Sequence, residues 1–392
     1  MKTVALGEVT ESVKTWNPSR QPCTAFDYID LSAVDNASKS ITAATSTVGS
    51  EAPSRARQLV AAGDVLVSTV RPNLNAVAVV PPELEGATAS TGFTVLRPTD
   101  ELDSRYLFHW VRSSAFIVDM IRKATGASYP AVSDRIVKES HVPAPPLPEQ
   151  RRIAAILDQA DALRAKRRQV LAHLDSLPQS IFHEMFGDPA RNPLGFPSAT
   201  VHSLADKFSD GPFGSNLKSS HYVDAGVPVV RLQNIGVGRY LDHDRAFVSE
   251  THYATLSKHD CRPGDILIGT LGVPNLRACI QPDFLPRALN KADCIQFRTK
   301  PGVADPVWAC WLLNAPGTLS LAASLAHGQT RTRIAMGQLR ELKVPVPPMD
   351  LQYEFSARVA VANACRERNA EASDSDESLF ASLQSRAFRG EL

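Results

Sequence analysis

The sequence predicts a mixed α+β protein: two globular α/β domains in tandem, separated by two long helices that pair as a coiled coil, with a pseudo-twofold internal repeat. Three observations lead there. Segments recur at a near-constant offset, a proline-rich junction stands at the same place in each copy, and a heptad stripe follows it. With 392 residues, 43% hydrophobic and 21% charged, the chain has room for two or three domains and the composition of a folded protein, not a disordered or fibrous one.

The repeat comes first in the argument. Gly63, Asp64, Val65 and Leu66 in GDVLVSTVRPNLNAVAV match Gly264, Asp265, Ile266 and Leu267 in GDILIGTLGVPNLRACI, an offset of 201 residues. The embedded PNL at Pro72 and Pro274 is offset by 202. FTVLRP parallels CIQFRT, YLFHWVRSSA parallels WACWLLNAP, and Gly126 pairs with Gly328. HVPAPPLPEQ at 141 aligns with KVPVPPMDLQ at 343, and SLPQSIFHEMF at 176 with SLFASLQSRAF at 378. The expected division is therefore 1–145, a first globular domain; 146–190, a first spacer helix; 191–345, a second domain; and 346–392, a second spacer helix. Short β-branched runs closed by turn residues give each globule its strands.

In VPAPPLPEQRR and VPVPPMDLQYE the prolines forbid helix upstream and suit a rigid, extended entry into one. A polyproline ligand for an SH3-like partner is the alternative. After the first junction Ile153, Ile156, Ala160, Leu163, Val170, Leu174, Leu177 and Ile181 fall on a and d positions, with Arg167 the polar intruder. The second copy keeps Phe355, Val359, Ala362, Leu379, Leu383 and Phe388, but Arg358 replaces Ile156 and Asp376 stands where Leu174 stands. The acidic EASDSDES at 371 reads as a solvated or frayed stretch that interrupts this helix, and Pro178 should kink the first.

Charge and cysteine usage exclude several classes. Net charge is +1, yet residues 191–345 carry 17 basic against 12 acidic side chains, so a local patch could attract a polyanion. The six cysteines show no CxxC pair and no His at metal-ligand spacing, and read as buried reduced thiols. No apolar run approaches the roughly 20 residues of a membrane span, and MKTVALGEV lacks a secretory layout, so the expected location is cytoplasmic, with no membrane partner. GVGRY after Ile235 lacks the full GxGxxG and reads as a turn. There is no GxxxxGK[ST], NPPY or HExxH, and the PDF at Pro282 lacks the following acidic-x-Lys pair of a metal nuclease. His109, inside YLFHWV, reads as packed. The expectation is no catalytic residue, no metal and no cofactor on this chain.

Loops rich in Arg, Lys, Asn, Gln and Ser supply the forked donors and amides that read base edges and anchor phosphates. In the first half the candidates are Lys39, Arg55, Arg57, Arg71, Asn73, Asn75, Ser128 and Tyr129. In the second they are Ser215, Asn216, Lys218, Arg231, Gln233, Asn234, Arg277, Gln329, Arg331 and Arg333.

PLPEQRRIAAILDQADALRAKRR at 146, GPFGSNLKSSHYVDAGVPVVRLQNI at 211, LQSRAFRGEL at 383 and GDVLVSTVRPNLNAVAV at 63 give the chain its resemblance to the specificity subunits of type I restriction-modification systems. The resemblance spans nearly the whole chain. It implies two target-recognition domains, each reading half of a split double-stranded DNA target, held apart by an antiparallel helix pair acting as a ruler. It also implies two modification subunits, which bring S-adenosylmethionine and methylate adenine N6, and a restriction subunit that brings ATP and Mg. About 40 residues at 1.5 Å each give roughly 60 Å of helix, against on the order of 35 Å for one DNA turn. Two rivals stand beside this reading: a free-standing metal-dependent nuclease, which would cut DNA without partners, and a helical adaptor that binds only proteins.

Overall fold

The computed structural model describes residues 2–272, 274–327 and 332–392, except the side chains of Ser215 and His327. The chain forms two compact units, Met1–Gln169 with Ala370–Leu392, and Val170–Asn369.

In the first unit the repeated apolar run lies in an antiparallel sheet ordered Thr10–Glu11, Phe93–Pro98, Val65–Ser68, Val77–Val79. The run is apolar throughout because both of its faces are covered. Val65, Val67 and Val77 cluster with Tyr106, Val111, Phe116 and Met120 of helices Ser104–Val111 and Ser114–Lys123. Leu66 and Ala78 point the other way, to Ile29, Val80 and Ala89. A second four-stranded sheet contains one parallel pair, Ala25–Ile29 beside Thr88–Ser90.

The second unit repeats this plan. Ile266–Gly269 lies between Cys294–Thr299 and Arg277–Ile280, with Ile266 and Ile268 turned to Trp308 and Leu312 and Leu267 turned to Val230 and Cys279. Its other sheet has five strands, with Val227–Val230 parallel to Ala288–Asn290.

Two devices explain residues that both copies share. In GDVL and GDIL the glycines, Gly63 and Gly264, take left-handed backbone (φ 87° and 84°), and the buried Asp behind each anchors a turn. Asp64 accepts from Ala61 N at 2.8 Å and from Arg97 Nη2 at 2.7 Å; Asp265 accepts from Arg262 N at 2.8 Å and from Arg298 Nε at 2.7 Å. The second device is a glutamine at the start of each long helix. Gln150 Oε1 accepts from Asp103 N, and its Nε2 donates to Pro145 O and Glu101 O. Gln352 Oε1 accepts from Asp305 N, and its Nε2 donates to Pro347 O. Asp103 and Asp305 then cap the following helix through the backbone amides at Tyr106 and Trp308. The proline junction is thus clamped to its globule by one buried amide in each copy.

The long helices run Leu147–Phe186 and Met349–Arg389, antiparallel within each unit. Arg164 pairs with Glu377 and Arg167 Nε lies 2.9 Å from Asp376 in the first unit. In the second, Arg366 Nε lies 2.5 Å from Asp175, and Phe355 packs on Phe182 and Phe186.

Three expectations are corrected here. Residues 371–378 are helical, not an interruption, because their acids meet Arg164, Arg167 and Arg168 across the pair. Pro178 lies buried within the first long helix, which continues to Phe186. Five of the fourteen heptad assignments sit one residue early. Leu163, Val170, Leu177 and Leu379 are 59%, 41%, 38% and 54% exposed, whereas Leu157 and Phe380 are buried and Ile156 is only half-buried. Near the ends the stripe packs on the globules: Ile153, Phe355, Val359 and Ala362 are buried as expected, and Ala160, Leu174, Ile181 and Leu383 are half-buried. In the middle the facing positions carry charge, so choosing apolar residues alone selected the wrong neighbours. Among the cysteines, all six are free; four are buried, but Cys365 is half-buried and Cys23 exposed, against the buried reading.

Candidate nucleic-acid interface

In the first unit three loops meet beside the central sheet. Arg71 N donates to Pro130 O at 2.7 Å, Val132 N donates to Thr69 O at 2.9 Å, and Thr69 N donates to Gly92 O at 2.9 Å. These bonds bring Arg71 and Tyr129 together, with the guanidinium 4.9 Å from the ring centroid. Tyr129 is 69% exposed, and Arg71, Asn73, Ser128 and Arg55 are exposed too. Lys39 and Asn75 have a different job. Lys39 Nζ donates to Asn75 O at 2.5 Å, and Asn75 Nδ2 donates to Val111 O at 2.8 Å, so both tie the loop to the globule. Burial, with Arg112 nearby, pulls the Lys39 ammonium down to about 8. Arg57 is half-buried and donates to Ala56 O.

The second unit builds the same crossing: Ile334 N donates to Thr270 O at 3.1 Å, and Leu271 bridges Arg333. Here Arg333 stacks 5.2 Å from Phe213, and its Nε lies 2.8 Å from Asp293. Asp210 is 3.6 Å from the same guanidinium; burial raises its pKa to about 6, against the pull of Gly211 N and Arg333. Arg231 pairs with Asp244, to which Gln233 Nε2 also donates at 2.8 Å. Asn234 is buried and spends its amide on Leu241 O and His243 O, and Arg277 spends its donors on the carbonyls of Ile235, Leu232, Leu271 and Pro274. These two shape loops. Asn216 and Lys218 are exposed. Gln329, Arg331 and the Ser215 side chain lie outside the described residues.

Sequence reasoning missed Phe213, Asp210 and Asp293, the groups that hold Arg333. The first two sit in DGPFG, beside the loop already singled out, whereas nothing in the local sequence connects Asp293 to Arg333.

Backbone strain gathers at both loop faces. Among the described residues, non-glycine left-handed backbone occurs at Lys39, Arg71, Asn75, Asn192, Asp244 and Asp293. All but Asn192 belong to these loops. Each such residue costs about 1–2 kcal/mol, which the surrounding contacts must supply.

Elsewhere, His109 is packed as expected, its Nε2 2.7 Å from Asp158. GVGRY forms the expected turn, closed by Ile235 and Tyr240. Among the described residues no group of three or more His, Cys, Asp or Glu is placed to hold a metal, and no helix is long and apolar enough to cross a membrane.

Residues 1–173 match the type I restriction modification DNA specificity domain. The chain is 25% identical over 325 residues to the type I restriction enzyme EcoKI specificity subunit of Escherichia coli (strain K12), covering 76% of this chain and 68% of that one. It is 21% identical over 291 residues to the MjaVIII specificity subunit of Methanocaldococcus jannaschii, covering 70% and 67%. A solved chain from work on complex assembly and conformational transition of the type I R-M system superposes with a TM-score of 0.66 at 26% identity, covering 100% of this chain and 98% of that one. The chain is thus similar to type I restriction specificity subunits over most of its length. The S subunit of M. genitalium shares the fold, with a TM-score of 0.55 at 14% identity over 99% of this chain and 96% of that one. In this chain, then, the exposed loop residues of each unit are the candidate DNA face, and Asn75, Asn234 and Arg277 are their scaffold.

Proposed function

We propose that this chain is a type I specificity subunit that reads a split, asymmetric target in double-stranded DNA, one half-site through the loop face of each unit. It holds two modification subunits, which bring S-adenosylmethionine and methylate adenine N6, and serves a restriction/translocase subunit that brings ATP and Mg. It works in the cytoplasm and contributes no catalytic residue itself. The observation that carries this reading is the doubled loop crossing, Thr69–Val132 and Thr270–Ile334, built on one skeleton but furnished with different side chains. Like skeletons suit equivalent docking on DNA, and unlike side chains suit different half-sites. The long helices support a fixed gap between half-sites, since a helix of about 40 residues is roughly 60 Å long.

The test is to coexpress the cognate modification subunits and map methylated adenines. Exchanging residues 1–145 for those of another specificity subunit should alter one half-site and leave the other. A change in both halves, or in neither, overturns the modular reading. Inserting four residues into the first long helix should change the gap while keeping both half-sites.

A further inference from the structure

The two loop crossings can be compared position by position. Counted forward from GDVL and GDIL, at the offset of 201, Arg71 corresponds to Gly272, the second copy carrying one more residue before its PNL, and both have left-handed backbone: φ is 51° at Arg71 and 109° at Gly272. The crossing therefore demands this conformation in either unit. The second unit meets the demand with glycine, which adopts it freely; the first keeps an arginine there despite the strain. What the first unit gains is the side chain, since the fold would be served better without it.

The surroundings of that side chain show what it is kept for. Arg231 and Arg333 each face a carboxylate, and Arg277 is consumed by loop carbonyls. Among the described residues no carboxylate pairs with Arg71. Its guanidinium instead lies over the ring of Tyr129, which is itself mostly exposed, and its backbone is pinned by Pro130 O. A planar fork held on an aromatic ring keeps its donors in one plane, free along their outer edge. Such a fork matches the O6 and N7 acceptors of guanine in the major groove, the commonest specific arginine contact with a base. Phosphate can be anchored by a lysine acting as a point charge, without a guanidinium plane held in place.

We propose that Arg71, positioned by Tyr129, reads a guanine in the half-site recognised by the first unit. This rests on the DNA-reading function proposed above, and the experiment separates the two. The complex of this chain with its modification subunits is prepared as wild type, Arg71→Gly and Arg71→Lys, and methylation is mapped on a randomised DNA library. Arg71→Gly copies the residue of the second unit, so it should fold at least as well as wild type, with thermal melting as the check. The expected result is a guanine in the wild-type motif whose preference falls roughly 10- to 100-fold in both variants, while all other positions and the other half-site stay as they were. A wild-type motif in the glycine variant overturns the inference and leaves split-target reading intact. So does a uniform loss across all sequences that Arg71→Lys restores, the behaviour of a phosphate anchor. If the wild-type complex methylates no split target, the proposed function itself fails.

Discussion

Where the first long helix meets its globule, the first unit uses charge: Arg105 and His109 bond Asp158, and Arg112 Nη1 lies 2.7 Å from Asp161. At the repeat offset of 202 the second unit has Val307, Trp311, Asn314, Ala360 and Asn363 in those five places. Its second long helix is seated by aromatic packing, Phe355 against Phe182 and Phe186 at 5.6 Å between ring centroids. The backbone clamps, Gln150 and Gln352, are the same. The duplication has thus kept the hydrogen bonds that set geometry and exchanged the groups that supply junction energy. One unit should answer to pH and salt there, and the other to cavity formation.

The sharpest way to break this contrast is by truncation. Phe355→Ala empties a fully buried site and should cost the second unit about 3–5 kcal/mol. Phe380→Ala should cost the first unit less, about 2–3 kcal/mol, because Phe380 lies between the guanidiniums of Arg112 and Arg164, which can close on the gap. Hydrogen exchange followed by mass spectrometry reads each unit separately. Equal losses would dissolve the distinction.

Next in size is Asp161→Ala. It leaves Arg112, whose side chain is 9% exposed, without its carboxylate, and should cost about 2–3 kcal/mol because Asp161 is itself partly hydrated. Asn363, the counterpart in the second unit, should tolerate alanine with a change under about 0.5 kcal/mol.

Acidity should then divide the units in opposite directions. Burial holds the His109 pKa below that of ordinary histidine, although the Asp158 bond opposes this. Below about pH 6.5 the unfolded chain therefore takes up a proton that the folded first unit resists, and that unit loses stability as pH falls. Asp158 is also partly buried, but the bonds from His109 and Arg105 prevail and hold it at about 2, so its contribution is lost only below about pH 4. Asp210 in the second unit behaves inversely. Its folded pKa of about 6 lets the folded state bind a proton first, so this group adds stability, on the order of 2 kcal/mol, as pH falls from about 6 towards 4. Asp210→Asn should remove that gain, measured by urea unfolding at pH 4.5 and 7; a slope that survives the substitution assigns it to another group.

The skeleton was legible in the sequence because its residues act locally or by repetition. GDVL and GDIL announced matching turns, the proline junctions announced helix starts, and the constant offset announced two copies. The helix pair was half legible: Phe355, Val359 and Ala362 emerged from the apolar pattern, but Asp376 looked misplaced because its partner, Arg167, is more than two hundred residues away. The loop faces were legible as composition and opaque as roles. Arg71 and Arg277 look alike in PNLN and PNLR contexts, yet one is exposed over a tyrosine and the other is bound into its loop, a difference settled by which carbonyls the folded chain brings within reach.

Arg167 and Asp376 offer the finest test of what the charged middle of the first unit's helix pair is for. Each stands on a facing position, 31% and 22% exposed, where leucine would ordinarily be chosen. Replacing one alone with leucine leaves the other half-desolvated and should cost about 1 kcal/mol. Replacing both restores an apolar layer, and the double variant should match or exceed wild-type stability. Stability alone therefore does not explain the pair. A polar layer at a fixed place penalises a helix that slips by one turn, because each charge would then face an apolar neighbour. The double leucine variant should melt no lower than wild type while losing uniqueness of register, visible as two distances between spin labels on the two helices where wild type gives one. A single distance in the double variant would leave the pair without a registering role.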